Sequence, residues 1–214
     1  EEARKLTLAV SIEDTPYRNH WNLWVYPSAT AEEPVDGNIR ITESVDRALA
    51  ELEQGRDVLL LPDWRRMHGV SGKFVPVFWS PVHFPKQAGT MGLLCDPKHP
   101  ALASFPNDGH TDWQWWDLCV NSRTMVVDSL RGGAPIVEVI DNFTNNRRLA
   151  MICEGRVGKG RLIIASCDLT HDLDHRPAAR QLRRSLLRYM QSDEFDPPRI
   201  ENPELLRSFM GGKQ

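Results

Sequence analysis

Long uninterrupted apolar runs are missing from this 214-residue sequence. Its longest charge-free apolar stretch, Phe74 to Pro85, contains three prolines and a histidine, so no segment reads as a membrane span. A basic excess is missing as well. Lys plus Arg number 26 against 29 acids, a formal charge of -3, which gives no support to a nucleic-acid or anionic-membrane binder. Cysteine is scarce, and Cys95, Cys119, Cys153 and Cys167 include no pair at the C-x2-4-C spacing of a structural zinc site. Cys153 and Cys167 lie in strand-like apolar runs, so free, buried thiols are expected, with no metal and no cofactor. Glu1-Glu-Ala-Arg-Lys5 offers no apolar signal core, as expected of a cytosolic, processed or excised chain.

Two catalytic patterns are also absent. Gly155-Arg-Val-Gly-Lys-Gly160 has the glycine spacing of a phosphate loop, but Arg161-Leu162 stand where Lys and Ser or Thr are needed. A strand follows it rather than a helix, so it reads as a hairpin turn. No Ser or Cys is flanked by glycines at the spacing of a nucleophile elbow, and Cys95 sits between Leu94 and Asp96.

What remains is an ordinary globular composition, 41% hydrophobic and 26% charged. Leu6 to Ile12 and His20 to Tyr26 read as two strands turned at Asp14-Thr-Pro-Tyr17. A lone hairpin is marginal in water. Residues 1–26 are therefore expected to be a β-hairpin or the end of a preceding β-domain, with the second strand a candidate to join the main sheet. Residues 27–214 read as one α/β domain with C-terminal helices, entered through a polar connector at Ala29 to Gly37. Thr42 is the expected cap of a helix to Gln54, with Val45, Ala48, Leu49 and Leu52 on one face and Gly55 as its stop. Strands are expected at Asp57 to Leu61, Phe74 to Trp79, Ile136 to Ile140, Arg148 to Glu154 and Arg161 to Cys167. A helical turn is expected within His99 to Pro106 and a short helix at Glu204 to Met210. Pro177 opens a longer helix to Met190, with Ala178, Leu182 and Leu186 inward. Interleaved strands and helices predict a three-layer α/β sandwich around a mainly parallel sheet.

His171-Asp-Leu-Asp-His175 has a metal-like density of ligands, but Asp174 just ahead of Pro177 suits the positive end of that helix. Asp168 and Asp172 suit the same connection, and capping explains these acids without a closed ligand set. The most unusual stretch is Asn107-Asp-Gly-His-Thr-Asp-Trp-Gln-Trp-Trp-Asp117, with three of the seven tryptophans. In an extended chain Trp113 and Trp115 would share one face, with Gln114 and Trp116 on the other. Indoles beside His110, Asp112 and Gln114 suit a sugar site, where rings stack on C–H faces and polar groups bind hydroxyls. Tryptophans filling a core or an interface are the competing reading. The candidate contact residues, for glycan or for a neighbouring domain, are His110, Asp112, Trp113, Gln114, Trp115 and Trp116.

Spaced blocks then point to a family. They are Tyr17-x-Asn-x-Trp-x-x-Trp-Val-Tyr-Pro27, Gly55-x-Asp-Val-Leu-Leu-Leu-Pro62, Phe78-Trp79, and His99-Pro-Ala-Leu102 through Phe105-Pro106. His110-Thr-Asp-Trp-Gln-Trp115, Pro135-Ile-Val, Ile140-Asp141, Gly158-Lys-Gly-Arg-Leu162 and Asp168-Leu169 complete the series. Together they resemble the C-terminal region of large bacterial proteins of glycoside hydrolase family 2, the β-galactosidase-like group. The resemblance implies a class I glutamine-amidotransferase-like, flavodoxin-like domain following sugar-binding, immunoglobulin-like and barrel domains. It implies those domains as partners, carbohydrate as a possible ligand, and a periplasmic or secreted location. Neither of the family's chemistries carries over. Its catalytic glutamates belong to a barrel without counterpart here, and the amidotransferase site requires the missing elbow cysteine. The leading expectation is a non-catalytic accessory domain serving domain packing, oligomer contact or glycan contact. The alternative is a free-standing glycosidase using an Asp pair among Asp108, Asp112 and Asp117. A third reading, a homo-oligomeric module, would show as a contiguous apolar patch on the N-terminal hairpin.

Overall fold

A computed structural model describes residues 2–28, 34–72, 83–84 and 90–210. The strand expected at Phe74 to Trp79 lies outside these residues, as does part of the Ala29 to Gly37 connector.

Helix α1 (Val45–Glu53) follows β3 (Ile39–Thr42) and leads into β4 (Asp57–Leu60). Its cap is Ser44 rather than Thr42. The Ser44 hydroxyl accepts from the Arg47 N–H at 3.3 Å, whereas Thr42 Oγ1 accepts from the Ser44 N–H at 3.1 Å and shapes the approach to the helix. Val45, Ala48, Leu49 and Leu52 are all buried, as their spacing requires. Beyond the helix, Gly55 takes a left-handed backbone with φ 83°.

Among the described residues the main sheet has eight strands and is mixed. Within the described residues only β3 with β4, and β4 with β10 (Gly160–Ala165), run parallel. The pairs formed by β5 (Val70–Ser71), β6 (Thr90–Cys95), β7 (Arg123–Val126), β8 (Ala134–Asp141) and β9 (Leu149–Val157) are antiparallel. The expectation of a mainly parallel sheet is therefore corrected. Parallel neighbours need a crossover of a dozen or more residues, and between β8 and β10 the chain has only short reversals. The β8–β9 turn is closed by Asn142 Oδ1, which accepts from the Thr144 and Asn145 N–H groups, both at 3.1 Å. The β9–β10 turn uses Gly158 at φ 60°. β9 is central: Ile152 faces Val137 of β8 on one edge and Ala165 of β10 on the other, and β7 takes over the β10 edge at Ala150.

Period-two alternation sends the sheet's side chains to two separate cores. Val58, Leu60, Leu162 and Ile164 meet Val45, Ala48, Leu49 and Leu52 of α1. Leu59, Leu61, Ile163 and Ala165 belong to the cluster containing Leu182 and Leu186 of α3 (Pro177–Met190). One helix layer thus covers each face of the sheet. On the second face α3 also docks on the 3-10 turn Pro100–Leu102, where Ser185 Oγ donates to the Ala101 carbonyl at 2.8 Å. The helix begins at Pro177 without a side-chain cap, so Asp174 does not perform the expected capping role. Asp168 organises this connection instead, accepting from the Thr170 and His171 N–H groups, both at 3.0 Å. The short α4 (Leu205–Ser208) closes the α1 side with Leu206 and Phe209.

The N-terminal strands β1 (Arg4–Ser11) and β2 (Arg18–Val25) form their own antiparallel sheet. Among the described residues β2 pairs with β1 alone and does not extend the main sheet. The register sets Leu6 opposite Leu23 and Leu8 opposite Trp21, so these side chains share a face with Val10 and Val25. All six are exposed, from 36% to 52%. Lys5, Asn22 and Trp24 alternate onto the other face, towards the main domain.

Candidate functional site

The Trp-rich stretch is not extended. Asp112 Oδ1 accepts from the Gln114 N–H at 2.9 Å and starts a 3-10 turn at Trp113–Trp115, which runs directly into α2 (Trp116–Val120). Residues three apart eclipse on such a turn. Trp113 and Trp116 therefore share the outer face, each 55% exposed, while Gln114 at 4% and Trp115 at 0% point inward. The alternation expected of an extended chain is corrected by that single cap. Upstream, Thr111 Oγ1 accepts from the Leu93 N–H at 2.7 Å and ties the segment to β6.

The hairpin sits on this segment. Trp113 Nε1 donates to the Asn22 carbonyl at 2.8 Å, and its ring meets Trp24 edge-on at 5.3 Å. The Tyr26 hydroxyl donates to Gln114 Oε1 at 2.6 Å. Burial, with the Asp112 carboxylate adding to it, pushes the Tyr26 phenol well above its ordinary pKa, so it remains a neutral donor. Lys5 pairs with Asp108 at 2.5 Å, and Asn22 Nδ2 donates to the same carboxylate at 3.4 Å.

Between hairpin and main domain lies a cleft of about 380 Å³, walled by Trp24, Tyr26, Trp113 and Trp116 and bounded by Gln114, Asp117 and the start of α3. Arg176 Nε donates to Asp117 Oδ2 at 2.9 Å, and Asn121 Nδ2 donates to Oδ1 at 2.9 Å. Arg176 also donates to the His171 and Asp168 carbonyls, which fixes the guanidinium. Two N–H donors of the lining residues, Gln114 Nε2 and Trp24 Nε1, are buried without a partner among the described residues. Buried donors of this kind are uncommon in folded proteins.

The structure thus brings Trp113, Gln114 and Trp116 together around the cleft. The other three candidates lie elsewhere. Trp115 is core, edge-on to Phe105 at 5.0 Å. Asp112 is the cap, its carboxyl raised chiefly by burial and further by Asp108. His110 bridges Leu94 at the edge of β6. Trp24 and Tyr26 were not among the candidates, although their spacing along a strand places both on one face of the chain. Of the acids of the glycosidase alternative, Asp108 holds Lys5 and Asp117 holds Arg176, while Asp112 caps through Oδ1 and leaves Oδ2 buried without a partner among the described residues.

A second cleft, of about 410 Å³, lies at the carboxyl ends of β3 and β4 beside Arg47, Thr170 and Arg183. Open α/β sheets often bind ligands at such ends. Here no lining polar atom is buried without a partner among the described residues.

The thiols are poorly placed for nucleophilic chemistry. All four are free, and burial raises Cys119 and Cys153 to about 12 and Cys95 to about 11, so the thiolate is scarce at neutral pH. Among the described residues no three His, Cys, Asp or Glu side chains are grouped to hold a metal ion. No helix of the described residues is long and apolar enough to cross a membrane.

A family model described as a domain of unknown function, DUF8487, matches residues 40–211. A second, DUF8488, also a domain of unknown function, matches residues 1–27. No curated protein matches the chain.

Proposed function

The chain belongs to the DUF8487 family, whose description assigns no function, and we propose that it is a non-catalytic accessory domain of a glycoside hydrolase family 2-like, carbohydrate-degrading enzyme. The observation that carries this reading is how the Trp-rich segment is used. Its most polar and aromatic residues hold another module: Trp113 and Gln114 bond the hairpin, and Asp108 anchors it through Lys5. Packing of this kind between two parts of the chain supports a role in domain packing. The resemblance of the spaced blocks to the β-galactosidase-like C-terminal region supports this class of parent enzyme, and with it the proposal of a periplasmic or secreted location. The α1 crossover between β3 and β4, with helices on both sheet faces, suits a class I amidotransferase-like core that has no elbow nucleophile.

The apolar outer face of the hairpin favours an extension of this reading. Leu6, Leu8, Val10, Trp21, Leu23 and Val25 form a contiguous exposed patch of the kind that marks protein contacts. This patch is the feature that the homo-oligomeric reading calls for, and within an accessory domain the same surface is offered to a second copy of the chain or to neighbouring units of the parent enzyme.

The test is enzymatic. Purified chain assayed against a panel of aryl glycosides should release no more aglycone than buffer. Turnover that disappears in Asp112→Asn would overturn the accessory reading and promote the glycosidase alternative.

A further inference from the structure

The cleft between the hairpin and the Trp-rich turn holds more than packing requires. We propose that it binds a neutral pyranose sugar unit, stacked between the Trp113 and Trp116 rings and bonded by Gln114 and Asp117. This goes beyond the accessory role and rests on the cleft, whatever enzyme the domain accompanies.

Three observations converge. First, Trp113 and Trp116 each leave more than half of their surface in solvent on one face of the turn, although Trp115 beside them is wholly buried. Flat, exposed indoles at a cleft suit the C–H faces of a sugar ring. Second, the cleft bears on an amide that the fold leaves half used. Gln114 is 96% buried by its 4% exposure; its Oε1 is taken by Tyr26, while Nε2 has no partner. Trp24 Nε1, from the opposite wall, is in the same condition. Both atoms are sealed from water, so a ligand oxygen reaches them only with a small movement of the Gln114 amide or the Trp24 ring, and one that does so supplies the acceptor each lacks. Third, Asp117 at the margin is 28% exposed and is oriented by Arg176 and Asn121. A carboxylate only accepts, so the same ligand must also donate.

Hydroxyl groups do both, and a ring of them with apolar faces is a sugar. Arg176 is shared by two carboxylates, Asp117 and Asp168, which favours a neutral unit over an acidic one. A polyproline segment would also stack on the rings and accept from the donors. It has no donor for Asp117, since proline lacks an N–H. The volume, about 380 Å³, is near the lower end of ligand clefts and suits a short glycan end.

The experiment titrates the full chain with glucose, galactose, cellobiose and lactose at millimolar concentrations, with decaproline as the competing probe. The readouts are tryptophan fluorescence and the Gln114 side-chain amide signal in 1H–15N spectra. At least one sugar should shift both saturably. Trp116→Ala should weaken that response by roughly tenfold or more, as loss of a central aromatic anchor does. Tyr17→Ala, an exposed aromatic on the hairpin turn, should leave it unchanged. Gln114→Leu also breaks the Tyr26 bond, so Trp116→Ala, on an exposed ring, is the deciding variant. The proposal is overturned if no sugar moves the Gln114 amide, if the response survives Trp116→Ala, or if only decaproline produces it. None of these outcomes bears on the hydrolysis assay, so the accessory reading stands or falls separately.

Discussion

Asp168 shows how one side chain can organise a connection that carries no regular structure. Its carboxylate collects the Thr170 and His171 N–H groups, the His171 ring and the Arg176 guanidinium. Burial works against its charge, but these hydrogen bonds and Arg176 outweigh it and hold the carboxyl at about 2. The sign follows from linkage. A carboxyl depressed in the folded state stabilises fully above its unfolded value, near 4, and that contribution is lost as pH falls towards about 2. Asp168→Asn should therefore cost about 2 kcal/mol at pH 7 and flatten the acid limb of the stability curve between about pH 4 and pH 2. Urea denaturation across pH checks this; parallel wild-type and variant curves would refute it. The adjacent tryptophans make a second contrast. Trp115→Ala should lower stability by about 3–5 kcal/mol, because it empties a fully buried site against Phe105. Trp116→Ala, on the exposed side of the same turn, should stay within about 0.5 kcal/mol of wild type. Acrylamide should quench Trp116 fluorescence and leave Trp115 emission untouched.

At the scale of elements, hydrophobic spacing was a good guide wherever one helix met one sheet. Val45, Ala48, Leu49 and Leu52 specified the buried stripe of α1, and Leu182 and Leu186 that of α3, because a 3.6-residue period has one apolar solution. Strand direction was harder to see. Val58–Leu61 reads as a strand buried on both faces, which is also what a mixed sheet with two helix layers produces. Pairing between β7 and β9, or β6 and β8, depends on chain far away in sequence. The hairpin followed its alternation, yet its apolar side faces outward because Lys5, Asn22 and Trp24 give the other side its attachments. Leu8→Lys should thus reduce concentration-dependent association measured by light scattering, with the main domain's melting temperature unchanged. A fall in that temperature would show that the face packs inward.

For the molecule as a whole, the site was half visible in the sequence. Clustered indoles with polar neighbours drew attention to residues 110–116, but which of them meet depends on the Asp112 cap, and the opposite wall comes from Trp24 and Tyr26, some ninety positions earlier. Periodicity within one segment cannot reveal a wall supplied by another. The arrangement that results is a main domain whose Trp-rich turn seats a separate two-stranded module, with DUF8487 and DUF8488 matching the two parts. Amide hydrogen exchange in the full chain measures that seat directly. In Trp113→Ala, which loses both the bond to the Asn22 carbonyl and the Trp24 contact, protection over β1 and β2 should collapse towards that of a free peptide, while β9, β10 and α3 keep theirs. Hairpin amides that stay as protected as in wild type would contradict the seat, and with it the packing role on which the proposed function rests.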